Sequence, residues 1–380
     1  MKNKKWLALL LVMVMTTLSV VGCGGGSDAD DETTSSENTE STDESGDAED
    51  VTYVASGETI YFAMHPGNGA VAAYLAIQNG YFEELGLDIE VVMFTNGVLI
   101  NEGFAAGEVE VGINGFASAY AFATGEYEYL GDINAQTEYG VYVNPDSDLV
   151  SVQGEVDGLP DVYGNAELAT GLEILATQGT VCQIVTDAYM AKLGVSITDY
   201  EIIGMDASSA LTALLAGEAD AAGLYPPYST QALDAGYVRA ASWEDVCGCI
   251  PADVLMCTDE FLETNYDDMV LITQAIYKAA AELEADEDLY YETAMTYFGE
   301  NGIEYSDSDM RALVESSFFY DEYYLTEEGY QFGYHESFAA RNLIDLGLLT
   351  EDAMDYVKES VNTDVLEAAT GISVTVGYCE

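Results

Sequence analysis

Positive charge is almost missing from this 380-residue sequence: nine Lys and Arg stand against 69 Asp and Glu, a formal net charge of −60. Three of the nine cations, Lys2, Lys4 and Lys5, lie at the very start. Without that start only Lys192, Arg239, Lys278, Arg311, Arg341 and Lys358 remain. This balance excludes nucleic acid and anionic membrane surfaces as partners, since binding to either runs on Lys and Arg. It is a statement about solubility, salt and acidity, not about the fold. Histidine is scarce too, with His65 and His335 far apart. There is no Ser-His-Asp order, no P-loop and no GxGxxG, so hydrolytic-triad and nucleotide chemistries lack their residues and the chain reads as a non-enzyme without cofactor.

The N-terminus offers a basic start, an apolar run over residues 6–15 and small residues before Cys23. The run is too short to span a bilayer and a polar tract follows, so residues 1–22 read as a secretory signal. Val20-Val21-Gly22-Cys23 resembles a bacterial lipobox, which makes Cys23 the expected lipidation site and the new N-terminus. Acyl chains on one residue would hold the chain at a membrane surface. Residues 24–50 are Gly, Ser, Thr, Asp and Glu with almost nothing apolar, so 23–56 is expected to be a lipidated Cys followed by a disordered acidic tether.

Beyond the tether the pattern becomes regular. Residues 60–64 form a short apolar run that breaks at His65-Pro66-Gly67-Asn68-Gly69, and a helical pattern follows at once. That order should leave the N–H groups of the helix start facing outward, a site for a polar or anionic ligand. A strand over 87–93, a helix ending at Gly107 and a strand over 109–113 follow, the last opening into Asn114-Gly115-Phe116. Alternating β and α predicts a parallel sheet with ligands at the carboxyl ends of its strands. A second copy appears downstream: Ala106-Gly107-Glu108 is echoed by Ala216-Gly217-Glu218, Glu84-Leu85-Gly86-Leu87 by Lys192-Leu193-Gly194-Val195, and Gly69 by Gly179-Thr180. Three echoes in one order point to two similar α/β lobes with a cleft between them.

Residues 57–146 read as the first part of lobe 1, with late strands over 129–133 and 139–143. Residues 147–242 read as lobe 2 and 243–380 as the return to lobe 1 with C-terminal helices. Residues 146–170 are loop-rich (Gly154, Gly158, Pro160, Gly164) and are expected at the surface rather than over the cleft. In lobe 2, strands are expected over 172–177, 200–204, 219–224 and 238–241, with Thr180 capping one helix and Tyr225-Pro226-Pro227-Tyr228 opening another. Helices are expected over 261–284, 289–298, 307–319, 332–346 and 351–361.

The phrase Gly80-Tyr81-Phe82-Glu83-Glu84-Leu85-Gly86-Leu87-Asp88-Ile89-Glu90-Val91-Val92 resembles the NitT/TauT (NMT1/SsuA-like) group of ABC-transporter substrate-binding proteins. So do the two Ala-Gly-Glu turns and Tyr225-Pro226-Pro227-Tyr228, and the similarity covers roughly residues 60–270. It implies a two-lobed, type II-like periplasmic-binding-protein fold that closes on a small solute outside the membrane and delivers it, as a monomer, to ABC permease subunits. The group spans nitrate, sulfonates, taurine and thiamine-pyrimidine precursors, so the solute stays open. A pyrimidine-synthase relative with this fold needs a cofactor-binding Lys in lobe 1, and none stands near the cleft there.

Carried onto this sequence, the resemblance implies contacts from His65, Asn68, Gly69, Asn114, Gly115, Phe116 and Ala117 in lobe 1. In lobe 2 it implies Gly179, Thr180, Val181, Cys182, Asp206, Tyr225 and Tyr228. Amide groups and helix starts would fix a polar head while aromatic rings cover an apolar body. Asn68 reads equally as a helix N-cap, and Phe116 and Tyr225 equally as packing between lobes. No cation lies in a predicted cleft loop, which favours a neutral or zwitterionic ligand, heteroaromatic in one reading. Cys182, Cys247, Cys249, Cys257 and Cys379 remain. An exported chain can pair them, with Cys247 or Cys249 to Cys257 the plain expectation; free thiols are the companion reading, since one of the five must remain unpaired. The alternative is a soft-metal site on Cys247, Cys249 and Cys257, which would make the chain a surface metal-binding or delivery protein. A third reading is an extracellular sensing domain, against which the lipid anchor argues.

Overall fold

The computed structural model describes residues 52–379; the signal, Cys23 and most of the tether lie outside the described residues. Two mixed sheets carry the fold. The first holds β1 (Thr59–Met64), β2 (Asp88–Met93), β3 (Val111–Asn114) and β4 (Tyr127–Gln136). The second holds β5 (Gly140–Val143), β6 (Glu173–Ala176), β7 (Glu201–Gly204), β8 (Ala221–Leu224) and β9 (Val238–Ser242). The chain then returns to the first sheet as β10 (Ala252–Thr258) and β11 (Ser317–Phe319).

Strand order is β11-β4-β10-β3-β1-β2 in one sheet and β7-β6-β8-β5-β9 in the other. Each has a parallel three-stranded half, β2-β1-β3 and β7-β6-β8, as βαβ crossovers require. Each is completed by antiparallel strands, because the strand that crosses over from the other sheet arrives running the opposite way. β10 lies antiparallel between β3 and β4, and β5 lies antiparallel between β8 and β9. The sequence echoes thus mark one architecture used twice, and the parallel expectation holds for half of each sheet.

One expected strand belongs elsewhere. Residues 139–143 pair with β8 and β9, so the chain changes sheets between Gln136 and Gly140 rather than near residue 146. Nothing in the sequence marks this exchange, since a β-strand's apolar run is the same whichever sheet it enters. Residues 146–170 then pack on the second sheet: Leu149, Val162 and Ala169 are buried there and the Tyr163 N–H donates to the Ala240 carbonyl (2.9 Å).

The C-terminal half differs in detail from its helical pattern. The helix expected over 261–284 is two, Asp259–Thr264 and Tyr266–Ala285, broken at Asn265. The last part of the helix expected over 307–319 is β11, which adds to the free edge of β4. Helix Tyr334–Asp345 does not serve lobe 1 alone: Ala340 and Ile344 join the first core, Ala339 and Leu343 the second. No helix among the described residues is long and apolar enough to cross a membrane.

Candidate functional site

A cavity of about 120 Å³ lies where strand ends of both sheets meet. From the first sheet it takes the loops after β1 and β3 and the ends of β4 and β10; from the second, the loops after β6 and β8. Nine of the expected residues line it: His65, Asn68, Asn114, Gly115, Phe116, Ala117, Thr180, Val181 and Tyr225. The other five stand outside the lining. Gly69 sits behind it with its N–H spent on Asp253 Oδ2 (2.7 Å). Gly179 abuts Val98 and gives its N–H to Gln183 Oε1 (2.8 Å). Cys182 is fully buried behind its helix start, where burial pushes the thiol up to about 12. Asp206 caps helix Ala207–Ala216 by accepting from the Ser209 N–H (3.0 Å), a bond that lowers its pKa. Tyr228 packs edge-on against Tyr225, 5.6 Å between ring centroids.

Several lining residues have structural duties. Asn68 is neither a free amide nor a cap: Nδ2 donates to Asn134 Oδ1 (2.9 Å) and Oδ1 accepts from the Tyr290 hydroxyl (2.7 Å). Asn114 Nδ2 donates to the Gly97 carbonyl (3.1 Å) and to Asn101 Oδ1 (2.9 Å). Thr180 caps its helix, accepting from the Cys182 N–H (3.3 Å) and donating to the Thr177 carbonyl (2.8 Å). Phe116 stacks on Trp243, which follows β9, with centroids 5.0 Å apart at 21°. The packing reading of Phe116 therefore holds, and its ring joins the two lobes.

Residues missed at the sequence level supply much of the chemistry. Asp253 on β10 has Oδ2 bonded to the Gly69 N–H, while Oδ1 lies beside Gly115 with no hydrogen-bond partner among the described residues. A side chain at position 69 would meet the Asp253 Cβ at 2.4 Å, so glycine there lets the helix start approach the carboxylate. Burial raises the Asp253 carboxyl to about 6. Gln136, at the end of β4, is 5 % exposed; Oε1 accepts from the Tyr139 hydroxyl (3.3 Å) and Nε2 has no partner among the described residues. Tyr139, Tyr225, Phe298 and Tyr305 give aromatic wall, and Tyr305 donates to the Pro226 carbonyl (2.9 Å), tying the first lobe to the second. Burial holds His65 down at about 4, so its imidazole is uncharged at neutral pH. Among the described residues no Lys or Arg lines the cavity. β10 and the segment before residue 307 return from far along the chain, which is why no local signal marked them.

The NMT1-like family matches residues 57–296, well over half of the sequence. The chain belongs to the NMT1-like family. A Brachyspira hyodysenteriae protein named as an ABC transporter periplasmic binding protein is 29% identical over 314 residues, 82% of this chain and 89% of that protein. The fold is also that of the alkanesulfonate-binding protein SsuA from Xanthomonas axonopodis pv. citri bound to MOPS (TM-score 0.59, 17% identity, 80% of this chain and 98% of that one). The periplasmic nitrate-binding protein NrtA from Synechocystis shares it as well (TM-score 0.63, 14% identity, 84% and 90%). The two-lobed fold expected of this family member is the one observed.

The expected disulfide from Cys247 or Cys249 to Cys257 is not made, and the free-thiol reading is the one observed among the described residues. Cys182, Cys247, Cys249, Cys257 and Cys379 are all free thiols. Cys257 is buried in β10 within the first core, whereas Cys247 and Cys249 pack against the second. Closeness in sequence did not survive the return from one sheet to the other. Among the described residues no group of three His, Cys, Asp or Glu could hold a metal ion.

Proposed function

We propose that this family member is the solute-binding component of an ABC importer, held outside the membrane by lipid on Cys23. The observation that carries the reading is the cavity itself: strand-end loops of two separate lobes wall it, and a hydrogen bond from Tyr305 to Pro226 spans them. Such a site forms when two lobes close on a ligand, and binding stabilises closure in proportion to the ligand's preference for it. Its volume lies well below the ~300–1,000 Å³ of drug-sized pockets, which suits a solute of few atoms. The likeness to an ABC transporter binding protein over most of both chains supports delivery to a permease. Residues 57–136 with 252–380 would act as one lobe and 140–242 as the other, as a monomer, with binding and no catalysis.

A thermal-shift panel of the full chain tests this, with amino acids, amines, aminopyrimidines, sulfonates and nitrate. At a hundredfold excess over Kd a ligand adds about 2.7 kcal/mol, which reads as a rise of several degrees. A panel silent for every class refutes the receptor. The anchor has its own test: Cys23→Ala should release the protein from cells into the medium, and retention at the membrane refutes lipidation there.

A further inference from the structure

The cavity has an electrostatic sign. Asp253 is the sole carboxylate among the described residues that line it, no Lys or Arg of those residues accompanies it, and His65 is neutral at pH 7. At three helix starts beside the cavity, an N–H that could otherwise hold an anion already has a partner. The start of helix Ala70–Gln78 is occupied by Asp253 Oδ2 at the Gly69 N–H. That of helix Gly97–Ala105 is capped by Asn96, whose Oδ1 accepts from Leu99 (3.1 Å). That of helix Val181–Lys192 is closed by Thr180 and Gln183. The N–H groups of Gly69, Leu99 and Cys182 are therefore answered by the protein's own oxygens, and an oxoanion entering here meets a carboxylate with no cationic side chain to receive it.

What remains open is complementary to something else. Asp253 pairs in register with Asn134 across β10 and β4, and strand alternation puts Gln136, two residues on, on that same face. An acceptor, Asp253 Oδ1, and a donor, Gln136 Nε2, thus lie on one strand face of an aromatic-walled cavity that both residues line, each without a partner among the described residues. Leaving either group unpaired is costly, so a ligand that answers both gains from both.

We propose that the cleft selects a small nitrogenous solute, an amine, amidine or amino-substituted heterocycle, whose N–H donates to Asp253 Oδ1 and whose neighbouring acceptor meets Gln136 Nε2, and that it rejects oxoanions. This specifies the ligand of the receptor reading and rests on it. Tyr139, Tyr225 and Tyr305 would cover the faces of a flat or cationic group. Asp253 is then the specificity-determining residue, and the two solved structures named above, which are sulfonate- and nitrate-binding proteins, share the fold without sharing this selection.

Calorimetric titration of the full chain at pH 7.5 tests the assignment with two sets of probes. The nitrogenous set is methylguanidine, ethanolamine and 4-aminopyrimidine; the oxoanion set is nitrate and ethanesulfonate. The expected result is binding by a nitrogenous probe, none by either oxoanion, and a roughly 10- to 100-fold weaker Kd in Asp253→Asn, the worth of a hydrogen bond to a charged group. Binding of nitrate or ethanesulfonate to the wild type overturns the proposal, as does an unchanged Kd in a folded Asp253→Asn. Should that variant fail to fold, Gln136→Met replaces it: a several-fold loss supports the proposal and an unchanged Kd overturns it. Silence from the nitrogenous set with binding by another class overturns this selection and leaves the receptor standing; silence from every class overturns both.

Discussion

Replacing Asp253 by Asn should stabilise the protein at neutral pH while it weakens binding. Burial holds this carboxyl at about 6 against an ordinary value of 3.8. Between those values the folded chain keeps a proton that the unfolded chain has lost. Its contribution to stability is therefore largest below about pH 4, falls as pH rises through 6, and is level above. A shift of about two units at ~1.4 kcal/mol each amounts to a cost of about 3 kcal/mol at pH 7.5. Asn retains an oxygen for the Gly69 N–H and has no charge to desolvate. Relative to wild type the variant should thus gain about 2–3 kcal/mol between pH 4 and pH 7.5. Urea unfolding of the full chain at four pH values across that interval measures it. A difference that stays flat with pH, or that runs the other way, refutes the argument that this carboxylate is held ionised at the expense of the fold. A residue kept for helix capping alone would show little change at any pH, because Asn caps a helix about as well as Asp. Stability given up at one residue for the sake of a ligand is a common pattern at binding sites.

Three further outcomes follow from the same contacts. Tyr305→Phe removes the bond to the Pro226 carbonyl between lobes; at about 1 kcal/mol it should weaken the Kd of a binding solute several-fold by calorimetry, with little change in Tm. Phe116→Ala deletes a ring that is 2 % exposed and stacked on Trp243, so chemical denaturation should report a loss of about 3–5 kcal/mol. Cys182 and Cys257 are buried, and burial pushes both thiols up. Iodoacetamide at pH 8 should leave them unmodified in the native protein and label them in urea, as read by mass spectrometry.

Much of the fold was legible because its signals are local. The apolar run before His65, the Leu-Gly turns at 85–86 and 193–194, and the Ala-Gly-Glu turns at 106–108 and 216–218 each fix a strand or a helix end within a few residues. The Thr180 cap and the strand-end loops after β1, β3, β6 and β8 follow from the same local chemistry, and nine of the fourteen expected residues line the cavity for that reason. Four of the five that do not, Gly69, Gly179, Cys182 and Tyr228, are neighbours of lining residues in sequence, whereas Asp206 follows β7 at the edge of the second sheet. In a helix start successive side chains point in different directions, so Cys182 turns inward while Val181 faces the cleft.

The sequence by itself determined that the chain is an acidic α/β protein of two repeated units, with no cation in any cleft loop, because composition, period and turn chemistry are properties of short stretches. Tertiary structure alone decided which sheet β5 joins, that β10 returns between β3 and β4, and that the five cysteines of the described residues form no disulfide. It also decided the sign of the site. Asp253 lies 184 residues from Gly69 along the chain, and only the return of β10 brings its carboxylate to that helix start. A hydrogen bond between such distant residues depends on strand order, which no local pattern of residues encodes.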